Sequence, residues 1–111
     1  MHDPANSVGT YTAQCEGWWE QAQYGRQEMA DLTLQFRGEE VHGNGRDMVG
    51  LFTLRGTLSP QGEVLLIKQY LGKHSVKYFG HYDGEGVLSG EWRIFFDHGR
   101  WAIKIKAAAT E

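Results

Sequence analysis

Residues 50–70 read GLFTLRGTLSPQGEVLLIKQY, two apolar runs separated by the tetrapeptide SPQG at 59–62. In the first run Phe52, Leu54 and Leu58 stand two or four residues apart, which is the side-chain period of a half-buried β-strand. The tetrapeptide carries proline and glycine at the positions that a type I turn favours. The stretch therefore predicts a β-hairpin in which Leu58 pairs with Val64.

The same alternation of apolar residues continues from Asp31 to Lys106, with turn signals at 72–73, 83–84 and 97–99. No helical spacing fits between these runs. Since 111 residues hold one hydrophobic core, we predict an all-β, single-domain antiparallel up-and-down meander barrel at 15–106, with tails at 1–14 and 107–111. Its eight strands are expected at about 15–21, 28–37, 40–47, 50–58, 63–72, 74–82, 86–96 and 100–106.

Fifteen glycines are present, and several fall on the predicted inward face. The turns at 72–73 and 83–84 predict registers that place Leu66 opposite Gly80 and Tyr78 opposite Gly90. A small barrel fits its lumen by alternating large and small residues, so these glycines serve packing and curvature or leave space for a ligand. The inward set is Gly43, Gly45, Gly56, Gly72, Gly80 and Gly90.

Composition excludes several classes of partner. A net charge of -3 and the absence of a basic run argue against nucleic acid. Cys15 has no second cysteine to pair with, which favours the cytoplasm. No apolar window approaches the ~20 residues of a membrane span, so no membrane partner is expected. The five histidines lack metal-ligand spacing, and no metal or other cofactor is expected.

Polar residues on the inward face form the candidate ligand site. Burying the charge of Lys68 is costly unless the ammonium pairs with Asp47 or reaches water at a wet mouth beside Tyr78. In a third hypothesis Lys68 anchors an anionic ligand between aromatic walls. The candidate residues on this face are Asp47, Lys68, Tyr70, His74, Tyr78 and Trp92.

The segment Gly17-Trp18-Trp19 in the first predicted strand contains a Gly-x-Trp motif near the start of the eight-strand meander. This resembles the opening strand of the calycins, the group that holds lipocalins, fatty-acid-binding proteins and avidins. The resemblance covers about residues 15–106 and implies that Trp19 closes one barrel end and joins the ligand site. It also implies that a basic residue of the last strand, Arg100 or Lys104, packs over that ring. Avidin's biotin contacts do not map onto this sequence.

Three functions follow from these residues. The favoured one is a non-catalytic barrel that binds a small molecule or peptide in its lumen, which predicts a cavity lined by Lys68, Tyr78 and Trp92. A filled lumen would instead favour a structural module that self-associates. An enzyme would use Asp47 or His74 as general base, with Lys68 and Tyr78 as stabiliser and acid, but no specific motif supports it. The self-associating surface is expected at Leu65, Ile67, Leu71 and Phe79.

Overall fold

The computed structural model describes residues 10–108, with side chains to residue 106. Eight antiparallel strands, each paired with the next, close between the first and the last into a barrel. The predicted all-β meander barrel is therefore confirmed. The strands are β1 (Thr10–Gln21), β2 (Gly25–Arg37), β3 (Glu40–Arg46), β4 (Leu51–Leu58), β5 (Glu63–Tyr70), β6 (Ser75–Tyr82), β7 (Val87–Ile94) and β8 (Asp97–Ala108).

The hairpin at 50–70 forms as predicted. Leu58 pairs with Val64, and Leu54 pairs with Lys68. Side chains along β5 alternate strictly between exposed and buried. At the turn, the Ser59 hydroxyl accepts a hydrogen bond from the backbone N–H of Glu63 at 3.0 Å. Local alternation and turn chemistry thus agree on one register.

The next two hairpins differ from prediction by two residues. Lys68 pairs with Val76 rather than Tyr78, and Gly80 pairs with Gly90 rather than with Leu88. The cause is the length of each turn. The β5–β6 turn takes in residues 71–74 and places Gly72 at its tip with φ +71°, and the β6–β7 turn takes in residues 83–86. Gly72 is therefore not an inward residue. A shift of two residues does not change which face of a strand a side chain occupies, because the strand period is two.

Several strand boundaries also differ. β1 begins at Thr10, five residues earlier than predicted, while β2 begins at Gly25 and β8 at Asp97, each three residues earlier than predicted. The last turn is therefore at 95–96 instead of 97–99. Residues 1–9 and 109–111, which fall in the predicted tails, lie outside the described residues.

Close backbone approach explains several inward glycines. A Cβ atom at Gly56 would overlap the carbonyl oxygen of Leu65, and one at Gly80 would overlap the carbonyl oxygen of Ser89. A Cβ at Gly90 would meet the carbonyl oxygen of Phe79 in the same way. These three glycines therefore let neighbouring strands press together and leave no space for a ligand.

The barrel has two ends, which we name for use below. The mouth end carries the loops at 22–24, 47–50, 71–74 and 95–96. The far end carries the loops at 38–39, 59–62 and 83–86, together with the start of β1 and the end of β8. The far half of the lumen is filled by buried apolar side chains, among them Leu34, Phe36, Val41, Leu58, Val64 and Leu88.

Candidate functional site

A buried ion pair lies in the mouth half of the lumen. The Lys68 ammonium is 2.6 Å from Oδ2 of Asp47, and both side chains are fully buried. Lys68 is on β5, while Asp47 follows β3 in a tight turn whose backbone exchanges two hydrogen bonds with Gly50. The other carboxylate oxygen accepts the N–H of Val49 at 2.9 Å. This turn directs the Asp47 side chain into the lumen.

Aromatic donors complete the environment of the carboxylate. Oδ2 of Asp47 also accepts the indole N–H of Trp19 at 3.0 Å and the hydroxyl of Tyr70 at 2.7 Å. The ammonium of Lys68 donates to the Tyr78 hydroxyl at 3.2 Å. Charge-assisted hydrogen bonds of this kind offset the cost of removing both charges from water.

Rings and sulfur surround the ammonium on its other sides. Its nitrogen lies 4.3 Å from the centre of the Phe52 ring and 4.9 Å from that of Tyr70. The sulfur of Met29 is 3.6 Å away. Cation–π contacts are strongest when the cation is desolvated, as Lys68 is. The ammonium is thus held entirely by protein groups.

Protonation follows from these contacts. Burial alone would raise the pKa of Asp47, but the hydrogen bond and charge of Lys68, with the hydrogen bonds of Tyr70 and Val49, together lower it. Burial lowers the pKa of Lys68 to about 8, although Asp47 acts in the opposite direction. Burial and then Asp47 raise the pKa values of Tyr70 and Tyr78. Both phenols therefore stay protonated, and the pair is ionic at neutral pH.

A cavity of about 210 Å³ opens at the mouth end beside this pair. The rings of Trp19 and Trp92 meet edge to face at 6.1 Å on one side of the network. The indole N–H of Trp92 donates to the carbonyl of Glu20 at 2.9 Å, so both indole donors are already engaged. The cavity lining is Trp19, Gln21, Val49, Tyr70, His74, Val76, Tyr78, Trp92 and Ile94.

The structure brings the predicted site residues together in two layers. Five line the cavity, while Asp47 and Lys68 form the pair beside it and are not part of the lining. The ammonium pairs with Asp47, so the alternative that it reaches water at a wet mouth was wrong. The five lining residues among those predicted are Trp19, Tyr70, His74, Tyr78 and Trp92.

Four lining residues were absent from the predicted site. Val76 and Ile94 have inward parity, and their alternation with polar neighbours was a usable signal. Gln21 ends β1 two positions after Trp19, so the same alternation indicated its inward face. Strand periodicity carries no information about Val49, because it lies in a loop and its position is set by loop conformation.

The basic residue implied by the calycin resemblance lies elsewhere. Arg100 and Lys104 are exposed on β8, where inward positions are occupied by Trp101 and Ile103. Neither side chain can pack over the inward Trp19, so that expectation was wrong. The ammonium of Lys68 is 5.6 Å from the Trp19 ring centre, and it approaches from β5 rather than from the last strand.

Outside the cavity, Leu65 and Ile67 are exposed on β5 as expected, and Phe79 is half-buried. Leu71 is also exposed but lies in the turn after the strand. Cys15 is buried, and burial raises the pKa of its thiol to about 12.

Residues 10–108 contain no helix that is long and apolar enough to cross a bilayer. Over the same range, no group of three or more His, Cys, Asp or Glu side chains is arranged to hold a metal ion.

Comparison of the chain with models of known families, with curated proteins and with solved structures gives no match. The class is therefore defined by fold and site alone. It is an eight-stranded up-and-down barrel with an aromatic-lined cavity at one end and a buried ion pair beside it.

Proposed function

We propose that this protein is a non-catalytic, calycin-like barrel that binds a small uncharged molecule, or an apolar side chain of a peptide, in the cavity at its mouth end. The observation that carries this proposal is a ring-lined cavity beside polar groups that already satisfy one another. Pockets that combine apolar walls with few polar groups are the usual form of a small-molecule site. Trp19 points inward, as the calycin resemblance implies, but it lies near the end of β1 and lines the cavity at the mouth instead of closing a barrel end.

The volume limits the ligand. At about 210 Å³ the cavity is smaller than the roughly 300–1,000 Å³ of drug-sized sites. It exceeds the apolar cavity of about 150 Å³ known to take up benzene. A ligand of one or two small rings, or a branched aliphatic of similar size, fits this range.

The electrostatics favour a neutral ligand over the anionic one suggested by the sequence. Asp47, at 2.6 Å, neutralises the charge of the Lys68 ammonium, and the Lys68 side chain is fully buried. An anion in the cavity would therefore meet a neutralised pair, while losing its own hydration. His74, which is exposed, is the one lining residue with a basic side chain.

Ligand-observed NMR with toluene, indole, p-cresol and benzoate tests the proposal. We expect the three neutral probes to bind and benzoate to bind at least tenfold more weakly, because a desolvated carboxylate finds no free cation. Val76→Phe should abolish binding by filling the cavity. Val87→Phe makes the same change at the far end and should leave binding unchanged. Preferential binding of benzoate, or equal binding by both variants, would contradict the proposal.

A self-associating module is the second candidate, supported by the outer face of β5. Leu65 is 48% exposed and Ile67 is 40% exposed, so this strand is apolar on both faces. Exposed apolar strand surface commonly marks an interface. Analytical ultracentrifugation should then show a dimer that Ile67→Glu dissociates and that Gln69→Glu, on the same strand, leaves intact. A monomer at every micromolar concentration would remove this candidate.

The catalytic alternative gains no support from the geometry. Asp47 accepts three side-chain hydrogen bonds at one oxygen and a backbone N–H at the other. Lys68 has no surface exposed to a substrate. A general base needs a free lone pair within reach of the proton that it removes.

A further inference from the structure

Exposed apolar side chains concentrate around the cavity mouth. Among the described residues, eight large apolar side chains are exposed, and six of these belong to the mouth end. The other two, Leu65 and Ile67, lie on the barrel wall. The far-end loops contribute none of the eight. The mouth-end group, here called the apolar rim, is Tyr24, Met48, Leu51, Leu71, Phe95 and Phe96.

The rim is carried mainly by the tips of separate hairpins. Phe95 is 100% exposed and Phe96 is 85% exposed in the turn between β7 and β8. Their rings meet edge to face at 6.3 Å. Leaving two phenylalanines in water forgoes the free energy of burial, and the fold gains no packing from Phe95 in return. These side chains therefore have the properties of a contact surface.

Charge differs between the two ends. In the mouth-end loops Lys73 is the exposed charged side chain, because Asp47 is buried in its ion pair. The ammonium of Lys73 also donates to the Val49 carbonyl at 2.6 Å, which ties two of these loops together. The far-end loops instead carry Glu39, Asp83 and Glu85. An anionic surface would therefore attract the mouth end and repel the far end.

The size of the mouth end argues against a second copy of the chain as its partner. The two shorter principal extents of the molecule are 29 and 22 Å. A barrel end with these dimensions covers roughly 500 Å², less than the about 800 Å² per partner of an ordinary stable interface. Separate protruding tips also leave gaps against a rigid partner, whereas a fluid lipid surface closes around each of them.

We propose that the mouth end docks onto an anionic lipid bilayer, with Phe95 and Phe96 inserted at the boundary between headgroups and acyl chains. Met48 and Leu71 enter beside them, and Lys73 meets lipid headgroups. The proposal goes beyond ligand binding and does not depend on it. It replaces the expectation of no membrane partner, which rested on the lack of an apolar span, because loop tips dock without spanning.

Co-sedimentation with vesicles tests this docking in the absence of any cavity ligand. We expect binding to phosphatidylcholine vesicles that contain one-third phosphatidylglycerol, and about fivefold weaker binding to phosphatidylcholine alone. The double variant Phe95→Ser/Phe96→Ser should lower the partition coefficient at least tenfold. Leu65→Ser/Ile67→Ser, a matched pair on the barrel wall, should leave it unchanged. Circular dichroism of both variants checks that the barrel remains folded.

Several outcomes would overturn docking. They are absence of binding to either vesicle, equal losses in the rim and wall variants, and a lipid-free dimer that depends on Phe95 and Phe96. Val76→Phe separates this proposal from the previous one, because it blocks the cavity but leaves the rim intact. Vesicle binding by Val76→Phe supports docking whatever the cavity binds, and its loss would contradict docking as an independent function.

Discussion

The two halves of the lumen are built differently, although one alternating pattern runs through both. The far half packs apolar side chains, including the rings of Tyr11 and Phe36, against strands that glycines such as Gly56 and Gly80 bring together. The mouth half contains a salt bridge and a cavity. Alternation decides which residues point inward, whereas side-chain size and hydrogen bonding decide whether the space is filled.

The largest expected effect comes from breaking the ion pair. Lys68→Met leaves the Asp47 carboxylate buried without its cation, and we expect the free energy of unfolding to fall by about 3–5 kcal/mol. Urea denaturation followed by tryptophan fluorescence measures the change. Leu66→Met, a change of similar volume two positions away, should cost under about 1.5 kcal/mol.

The double variant Asp47→Asn/Lys68→Met sharpens this test. Removing both charges should recover part of the stability, because no uncompensated charge remains. An unchanged stability of the Lys68→Met single variant would contradict a structural role for the pair. It would return Lys68 to the list of ligand anchors.

Backbone contact in the far half gives the next effect. Gly56→Ala forces a methyl group onto the Leu65 carbonyl, and we expect a loss of about 3 kcal/mol because neither strand can move away. Gly17→Ala is the matched change against movable atoms, since its Cβ would meet the ends of the Met29 and Leu32 side chains. It should cost about 1 kcal/mol. Equal losses in thermal or urea unfolding would refute the distinction.

Removing single hydroxyls ranks the polar contacts of the mouth half. Tyr70→Phe deletes a 2.7 Å hydrogen bond to Asp47 and should cost about 2 kcal/mol, as is usual for bonds to charged groups. Tyr78→Phe deletes a longer contact with the Lys68 ammonium, at 3.2 Å, and should cost about 1.5 kcal/mol, the lower end of the range for bonds to charged groups. Urea unfolding at pH 7 compares the two, and a larger loss for Tyr78→Phe would reverse the proposed ranking.

The smallest effect is a pH dependence. The pKa of Asp47 is lower in the folded protein than its ordinary value of 3.8. Such a carboxylate stabilises the fold above the unfolded pKa, and this stabilisation is lost as the pH falls through the folded pKa. The stability difference between the native protein and Asp47→Asn should therefore shrink below pH 3.8.

A far-end variant controls for other acidic groups. Hydrogen bonds from the backbone N–H groups of Val87 and Glu85 lower the pKa of the exposed Asp83. In the Asp83→Asn variant, the pH-dependent stabilisation of the fold by the Asp47 carboxylate should remain. Urea unfolding from pH 6 to pH 2 records all three proteins. A constant difference between the native protein and Asp47→Asn over this range would contradict the lowered pKa.

The sequence by itself determined the strands and their faces. Lys68, Tyr70 and Tyr78 point inward as predicted, because successive side chains of a strand alternate whatever its partner. The hairpin at 50–70 was equally readable, since its turn residues and both apolar runs specify the same pairing.

Only the tertiary structure decided what those inward residues do. The β5–β6 and β6–β7 registers depend on the lengths of the turns at 71–74 and 83–86. A two-residue shift leaves the alternation unchanged, so the pattern could not reveal it. Asp47 reaches Lys68 because a turn at 47–50 directs the carboxylate inward. Its partners come from strands far apart in the sequence, and strand periodicity does not record such contacts.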